Sequence, residues 1–242
     1  MSELVVGCSG FTYNHWRGNF YPERLPQKRW FAHYSTVFAS VELNVTFYRL
    51  PKSSTFEAWR RETPEQFVFA IKGSRLITHL KRLKEIEEPL NRFFEEAGNL
   101  AEKLKVVLWQ LPPSFAADNE RLSHFLALLD RYNVRNTLEF RHQSWLNEET
   151  IGLCRQHNTA LCMADSPEFL NDLPLTADFV YIRRHGGHGD HAPRYDTHQL
   201  AGDAERIRGY IAGGRDVYIY FNNDAWGYAP QNAQELQSMF TK

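Results

Sequence analysis

The chain has 242 residues, with 28 Lys and Arg against 29 Asp and Glu, a formal net charge of −1 and a pI of about 6.8; no global field recruits nucleic acid or an anionic membrane surface, and only a local basic patch is compatible with that balance. The length suffices for one full hydrophobic core, and no apolar run approaches the roughly 20 residues of a membrane helix. Cys8, Cys154 and Cys162 are too few and too scattered for a disulfide framework or a zinc spacing, and Met1-Ser2-Glu3-Leu4 shows neither the basic nor the apolar part of a signal peptide, so the expectation is a reduced, cytoplasmic protein.

Leu4–Cys8 is the first of eight short runs rich in Val, Ile, Phe, Tyr and Leu that read as strands. A long loop over Ser9–Pro26 follows and carries Phe11, Tyr13, Trp16, Phe20 and Tyr21. A short helix over Pro26–Thr36 leads to strand Ser40–Asn44, the aromatic turn Thr46–Pro51 and a second short helix over Ser53–Glu62. Strand Phe67–Lys72 precedes the clearest helix, Glu87–Leu104, in which Leu90, Phe93, Phe94, Ala97, Leu100, Ala101 and Leu104 recur at helical spacing. Strand Lys105–Gln110 is followed by helix Asn119–Tyr132, with Asp118 as its cap. Strand Asn136–Arg141 is followed by helix Ser144–His157, with Ser144 as its cap, and then strand Ala160–Asp165. The connection Ser166–Asp178 holds two prolines and little periodicity, which predicts a reduced or missing helix. Strand Phe179–His185, helix Asp196–Ala212 with its Gly213-Gly214 stop, and strand Asp216–Asn222 complete the pattern. Eight alternating units without a linker predict one (β/α)8 barrel domain over residues 1–242.

In a closed barrel one face of each strand meets the helices and the other points inward, and chemistry sits where the strands end. Alternation in Val41-Glu42-Leu43-Asn44, Leu138-Glu139-Phe140-Arg141, Ile71-Lys72, Ala164-Asp165, Tyr181–His185 and Tyr220-Phe221-Asn222 gathers an inward ring. Its members are Ser9, Glu42, Asn44, Lys72, Gln110, Glu139, Arg141, Asp165, Arg183, His185 and Asn222. Cys8 shares its parity with Val6 and turns toward the helices.

The same positions fall in longer motifs. Val6-Gly7-Cys8-Ser9-Gly10 comes with Tyr13, Trp16 and Phe20-Tyr21-Pro22, and Val41–Asn44 with Thr46-Phe47-Tyr48. Then come Lys72, Thr78-His79, Gln110-Leu111-Pro112-Pro113, and Glu139-Phe140-Arg141-His142 with Ser144-Trp145. Tyr181 with Arg183 and His185-Gly186, and Phe221-Asn222-Asn223-Asp224, complete the set. Over nearly its whole length the chain resembles the YecE-like family, catalogued as domain of unknown function 72. That resemblance implies a TIM-type barrel and supplies no activity. Cys8 stands where the family more usually has Thr, and the His-rich insert after His185 is particular to this branch.

The residue types point to a small anionic ligand, phosphorylated or carboxylated, with sugar-like ligands among the candidates. Arg141 and Arg183 would grip it bidentately, Glu139 or Glu42 would act as general acid or base, and Lys72 or His185 as the complement. Ser9, Tyr13, Trp16, Asn44, Tyr48, Gln110, Trp145, Asp165, Asn222 and Asn223 would line the site. For about half of the loop aromatics the expectation is packing on one another. Against catalysis stands the reading that Glu139 and Arg141 form internal ion pairs that satisfy each other. Two glutamates also admit a glycosidase reading, ranked lower because their strands are not neighbours. No resident cofactor is predicted, since no dinucleotide or P-loop glycine pattern occurs. A divalent metal on Glu139, Asp165, His185 and Asp224, as in a phosphodiesterase or sugar isomerase, is the alternative. Three histidines, His185, His188 and His191, read as a lid in preference to a zinc or nickel site. Nucleic acid, with bases on the aromatic loops and phosphates on Arg49, Arg75, Arg141, Arg183 and Arg184, is disfavoured by the near-neutral charge. A non-catalytic ligand- or partner-binding barrel is the third reading, and the pattern fixes no oligomeric state.

Overall fold

The computed structural model describes residues 2–165, 172–186 and 194–240. Eight parallel strands close into a barrel in sequence order: β1 Leu4–Ser9, β2 Ser40–Leu43, β3 Val68–Lys72, β4 Leu104–Gln110, β5 Arg135–Glu139, β6 Ala160–Ala164, β7 Phe179–Arg184 and β8 Asp216–Phe221. The helices are α1 Trp30–Val37, α2 Val45–Tyr48, α3 Ser53–Glu62, α4 Glu87–Ala97, α5 Asn119–Leu129, α6 Glu148–Gln156, α7 Thr197–Ala212 and α8 Tyr228–Ser238. All strands fall within one or two residues of the sequence expectation, because each is a β-branched and aromatic run bounded by turn residues.

The helices depart from expectation at their ends, for local reasons. The run predicted as a helix to Leu104 leaves α-geometry at Ala97; Gly98–Lys103 forms 3-10 turns with Ala101 at a φ of 50°, and Leu104 already belongs to β4. Ser144 does not cap α6. Its Oγ accepts from the Ala117 amide at 2.7 Å, and Asn147 takes the capping place by accepting from the Thr150 amide at 2.9 Å. Asp118 caps α5 as expected, and Asp196 and Gln199 form a reciprocal capping box on α7. Helix α8 carries no stripe of large apolar residues. It packs through Ala229, Pro230, Ala233 and Leu236, which is why periodicity overlooked it. Between β6 and β7, residues 172–178 contain no helix, and 166–171 lie outside the described residues.

The lumen is filled in layers. At the N-terminal end the Arg135 guanidinium lies over Phe179 and Tyr218, and its Nη1 donates to Asp216 and to the Tyr218 hydroxyl. Above it Ala70, Val106, Leu108, Ala160, Cys162, Ala164, Tyr181 and Tyr220 pack together, with Ser40 Oγ and the Tyr220 hydroxyl 2.7 Å apart. The third layer, at the C-terminal mouth, is polar. Outside, a second and larger apolar cluster joins the outward strand residues to the helices. Cys8 is fully buried there, toward the helices as its parity predicts.

Gly7 occupies an inward position where β1 and β2 approach closely: a Cβ there would meet the Ser40 carbonyl oxygen at 2.4 Å and Tyr220 at 3.1 Å. Gly7→Ala should therefore lose about 1–3 kcal/mol by overpacking. Gly152→Ala in α6, where nothing lies within 4 Å, should gain about 0.5–1 kcal/mol from helix propensity. Urea unfolding of the two variants checks the contrast, and equal effects would contradict it.

Candidate active site at the barrel mouth

Register brings the polar layer together. Ser9 is the partner of Glu42, and Gln110 the partner of Glu139. Arg183, on the inward face of β7, lies between the two glutamates with 1% of its surface exposed. Its Nε donates to Glu42 Oε2 at 3.0 Å, its Nη2 to Glu42 Oε1 at 2.9 Å, and its Nη1 to Glu139 Oε2 at 2.7 Å. Glu42 also accepts from Ser9 Oγ at 2.6 Å and from the Tyr181 hydroxyl at 2.7 Å. Glu139 accepts from Gln110 Nε2 at 2.7 Å and pairs with Arg141. Two buried carboxylates from opposite sides of the barrel are thus each saturated with donors, as buried charges require.

The electrostatics follow from this arrangement. Burial by itself would raise the Glu139 carboxyl, but Arg183, Arg141, His185 and Lys72 outweigh it and hold the group well below the usual carboxylate range. Burial would lower the Arg183 guanidinium, and Glu42 and Glu139 outweigh that too. A carboxylate so firmly ionised is a poor proton carrier near neutral pH. Glu139 therefore holds the mouth together electrostatically, Glu42 does so through its contacts with Arg183, Ser9 and Tyr181, and the ion-pair reading of Glu139 with Arg141 describes the geometry of that pair. All three Arg183 nitrogens are engaged by Glu42, Glu139 and His185. Arg141 remains partly exposed, with 20% of its side chain accessible.

Lys72 differs. It extends from the end of β3, its Nζ donates to Gln110 Oε1 at 3.0 Å, and it lies 4.3 Å from the centroid of the Phe47 ring. Burial first, and then the Arg183 charge, bring its ammonium down to about 8, with Glu139 and Glu42 pulling the other way. His79 packs against the same Phe47 ring, with centroids 4.9 Å apart. Burial, then Lys72 and Arg75, lower its imidazole below its ordinary value, so it is neutral at neutral pH. His79 sits in a π-helical turn, Leu76–Leu80, a feature common at functional sites. The sequence named Thr78-His79 only as part of a family motif. No periodicity distinguishes it, and Phe47 likewise reads as one more loop aromatic.

Other expected residues separate into those at the mouth and those elsewhere. Asn222 Nδ2 lies 3.0 Å from His185 Nδ1, and Arg183 Nη1 donates toward His185 Nε2 at 3.3 Å; His185 is thus held in the network as an acceptor of Arg183. Asn44 heads α2 at the mouth with its side-chain oxygen buried. Tyr13 is half-buried and donates to the Ser9 carbonyl at 2.6 Å. Tyr48 is 70% exposed on the rim.

Four residues stand apart. Asp165 is not inward: on β6 the inward residues are Ala160, Cys162 and Ala164, so Asp165 falls on the outer side. There it accepts from the His185 amide at 2.5 Å and from the Tyr195 hydroxyl and lies 3.9 Å from Arg184. Trp16 is fully buried and donates its indole N–H to the Asp224 carbonyl at 3.0 Å. Trp145 is fully buried against Phe140 and donates to the Phe115 carbonyl at 2.7 Å. Asn223 is buried and donates to Asn232 of α8 at 3.0 Å. The first loop packs on itself and on α1, with Phe11 stacked on Phe31 and Tyr21 on Trp30. The rim is completed by an open hollow of about 460 Å³ lined by His15, Asn222, Asp224, Ala225 and Trp226. A wider basin of about 940 Å³ lies at the opposite end, around Lys105, Arg135 and Asp216, where barrels serve stability more than chemistry.

The alternative metal set is not assembled. Glu139 is bound by arginines, Asp165 faces outward, and Asp224 lies 3.4 Å from His15. Among the described residues no three His, Cys, Asp or Glu side chains gather around a common point. His188 and His191 lie outside the described residues. Among the described residues no helix is long and apolar enough to cross a membrane.

Comparison with known proteins gives a consistent picture. The family described as "Protein of unknown function DUF72" matches residues 5–242. The UPF0759 protein YunF of Bacillus subtilis is 23% identical over 96% of this chain and 93% of its own length. The UPF0759 protein YecE of Escherichia coli K12 is 32% identical over 45% of this chain and 40% of its own. The crystal structure of a DUF72 family protein from Thermotoga maritima superposes with a TM-score of 0.87 at 30% identity, covering 99% of this chain and 100% of that one. A D-psicose 3-epimerase structure superposes with a TM-score of 0.57 at 8% identity over 97% of both chains, a likeness of fold alone.

Arg183→Met should leave two buried carboxylates without their shared cation and lose about 3–5 kcal/mol in urea unfolding; a loss below about 1 kcal/mol would contradict the network. Because the folded Glu139 value is depressed, its contribution is complete above the unfolded value near 4.5 and drains as pH falls toward the folded one. Glu139→Gln should flatten the acid limb of stability against pH, and an unchanged limb would place the titrating group elsewhere.

Proposed function

The chain belongs to the DUF72 family, and we propose from the geometry of its mouth that it is an enzyme acting on a small anionic ligand by proton transfer at Lys72. The observation that carries this reading is the charge count of the polar layer. Arg183, Arg141 and Lys72 stand against Glu42 and Glu139, three cations to two carboxylates, which favours a ligand that brings negative charge. Arg141, partly exposed and with a fork of donors, is the residue suited to grip a phosphate or carboxylate. Lys72 is the group whose ionisation falls near working pH, which general acid–base chemistry favours. His79 and Phe47 shape its surroundings. Glu139 and Glu42 hold the cations in place through their ion pairs and hydrogen bonds.

A second reading, a single-stranded nucleic acid whose bases stack on the rim, is favoured only by the exposure of Tyr48 and Trp226 at 70% and 69%. It predicts affinity that collapses with salt.

Sulfate, whose charge is constant across the range, is a clean probe. Its affinity in calorimetry should fall as pH rises through about 8, where Lys72 loses its proton, and Lys72→Met should abolish that dependence. Arg141→Met should weaken binding by about ten- to a hundredfold, the loss of one charge-assisted contact. Binding that ignores pH and both substitutions would refute the anion reading.

A further inference from the structure

Lys103 is buried and Lys72 half-buried, and the two are held differently. Lys103 is 5% exposed, and its Nζ donates to the Arg60 carbonyl at 2.7 Å, the Thr63 carbonyl at 2.9 Å and Thr63 Oγ1 at 3.0 Å. All three of its protons are satisfied, the arrangement of a structural ammonium. Among the described residues Lys72 Nζ has one hydrogen bond, to Gln110, and the face of Phe47. Among the described residues no carboxylate lies within ion-pair distance of its Nζ, although Glu42 and Glu139 are in the same layer. They are taken by Arg183 and Arg141. Thr46 Oγ1 donates to the Lys72 carbonyl at 2.6 Å, which fixes α2, and with it Phe47, against the end of β3. The lysine is thus positioned by its backbone and its stem, while its amine is left poorly solvated at an open mouth.

That arrangement suits a nucleophile better than a counter-ion. An ammonium meant to bind an anion is best kept fully charged, whereas burial and the neighbouring Arg183 and Arg141 favour the free amine and outweigh the pull of the Phe47 face on the ammonium. Resting on the anion reading above, we propose that Lys72 condenses with the carbonyl carbon of a small aldehyde or ketone that also carries a phosphate or carboxylate held by Arg141. The Nζ lone pair forms the C–N bond while the carbonyl π pair moves to oxygen. Both amine protons are then transferred to that oxygen, which leaves as water, and the C=N bond of an imine remains. His79, neutral and packed on the same Phe47 ring, is the base placed to relay those protons. The depressed ionisation of Lys72, about 8, leaves about a tenth of it as free amine at pH 7.

The test treats the full chain with glyceraldehyde 3-phosphate and borohydride, which reduces an imine to a stable secondary amine. Peptide mass mapping then reads each lysine. Lys72 should be labelled at least tenfold faster than Lys81, a partly exposed lysine whose Nζ lies 3.9 Å from Glu85, and inorganic phosphate should suppress labelling at Lys72 alone. Phosphate binding is followed in parallel by calorimetry on the unmodified chain. Phosphate that binds with no preferential label at Lys72 would overturn the imine and leave the anion reading standing. Neither binding nor preferential label would overturn both. Lys72→Arg keeps the cation and cannot form an imine; retained phosphate binding in that variant confirms that the mouth has kept its fold and separates the two roles.

Discussion

A single guanidinium at the centre of the barrel determines what the mouth can do. Arg183 reaches from β7 to a glutamate on β2 and another on β5, strands that lie on different sides of a closed cylinder and share no backbone hydrogen bond. Each of those carboxylates would be costly to bury alone, and the guanidinium would be costly without them. The three charges therefore impose one another's positions, and Ser9, Tyr181, Gln110 and Arg141 complete their hydrogen bonds. Below this layer the lumen is aromatic and aliphatic, so the network also closes the dry core against the mouth.

The consequence for chemistry is a division of labour. Glu139 is held ionised by the cations around it, and both carboxylates are occupied by their partners. Positive charge is left over at the rim side, on Arg141 and on a lysine that has no carboxylate within ion-pair distance among the described residues. Electrostatic preorganisation of this type needs no motion at the moment of reaction. Glu42 and Glu139, which sequence patterns nominate as acid or base, are engaged by arginines, while burial and Arg183 depress the charge of Lys72.

Much of the architecture was legible in the sequence because barrel strands carry two periodic signals, the run of β-formers and the inward parity of the last residues. Parity placed Glu42, Lys72, Gln110, Glu139, Arg183 and Asn222 correctly, since each alternates with large apolar residues that face the helices. It failed at Asp165, where the inward side of β6 is read by small residues, Ala160, Cys162 and Ala164, that make room for Tyr181 and Tyr220. There alternation runs between small and large side chains, and the polar residue follows the large ones outward. Trp16 and Trp145 enter the expected site as aromatics of the first loop and of the family motifs, and neither basis distinguishes a ring that stacks on ligand from one that plugs a loop. Phe47 and His79 gave no periodic signal, because a four-residue helix and a π-turn are too short to show one.

The most direct measurement of this account is an isotope-edited NMR titration of the lysine side chains. The Lys72 resonance should titrate near 8, and Glu139→Gln should lower that midpoint further, because it removes a negative charge that now supports the ammonium. A midpoint near 10.4, the value of an ordinary lysine, or one indifferent to Glu139→Gln, would contradict the claim that the buried arginine–carboxylate network sets the charge at the mouth.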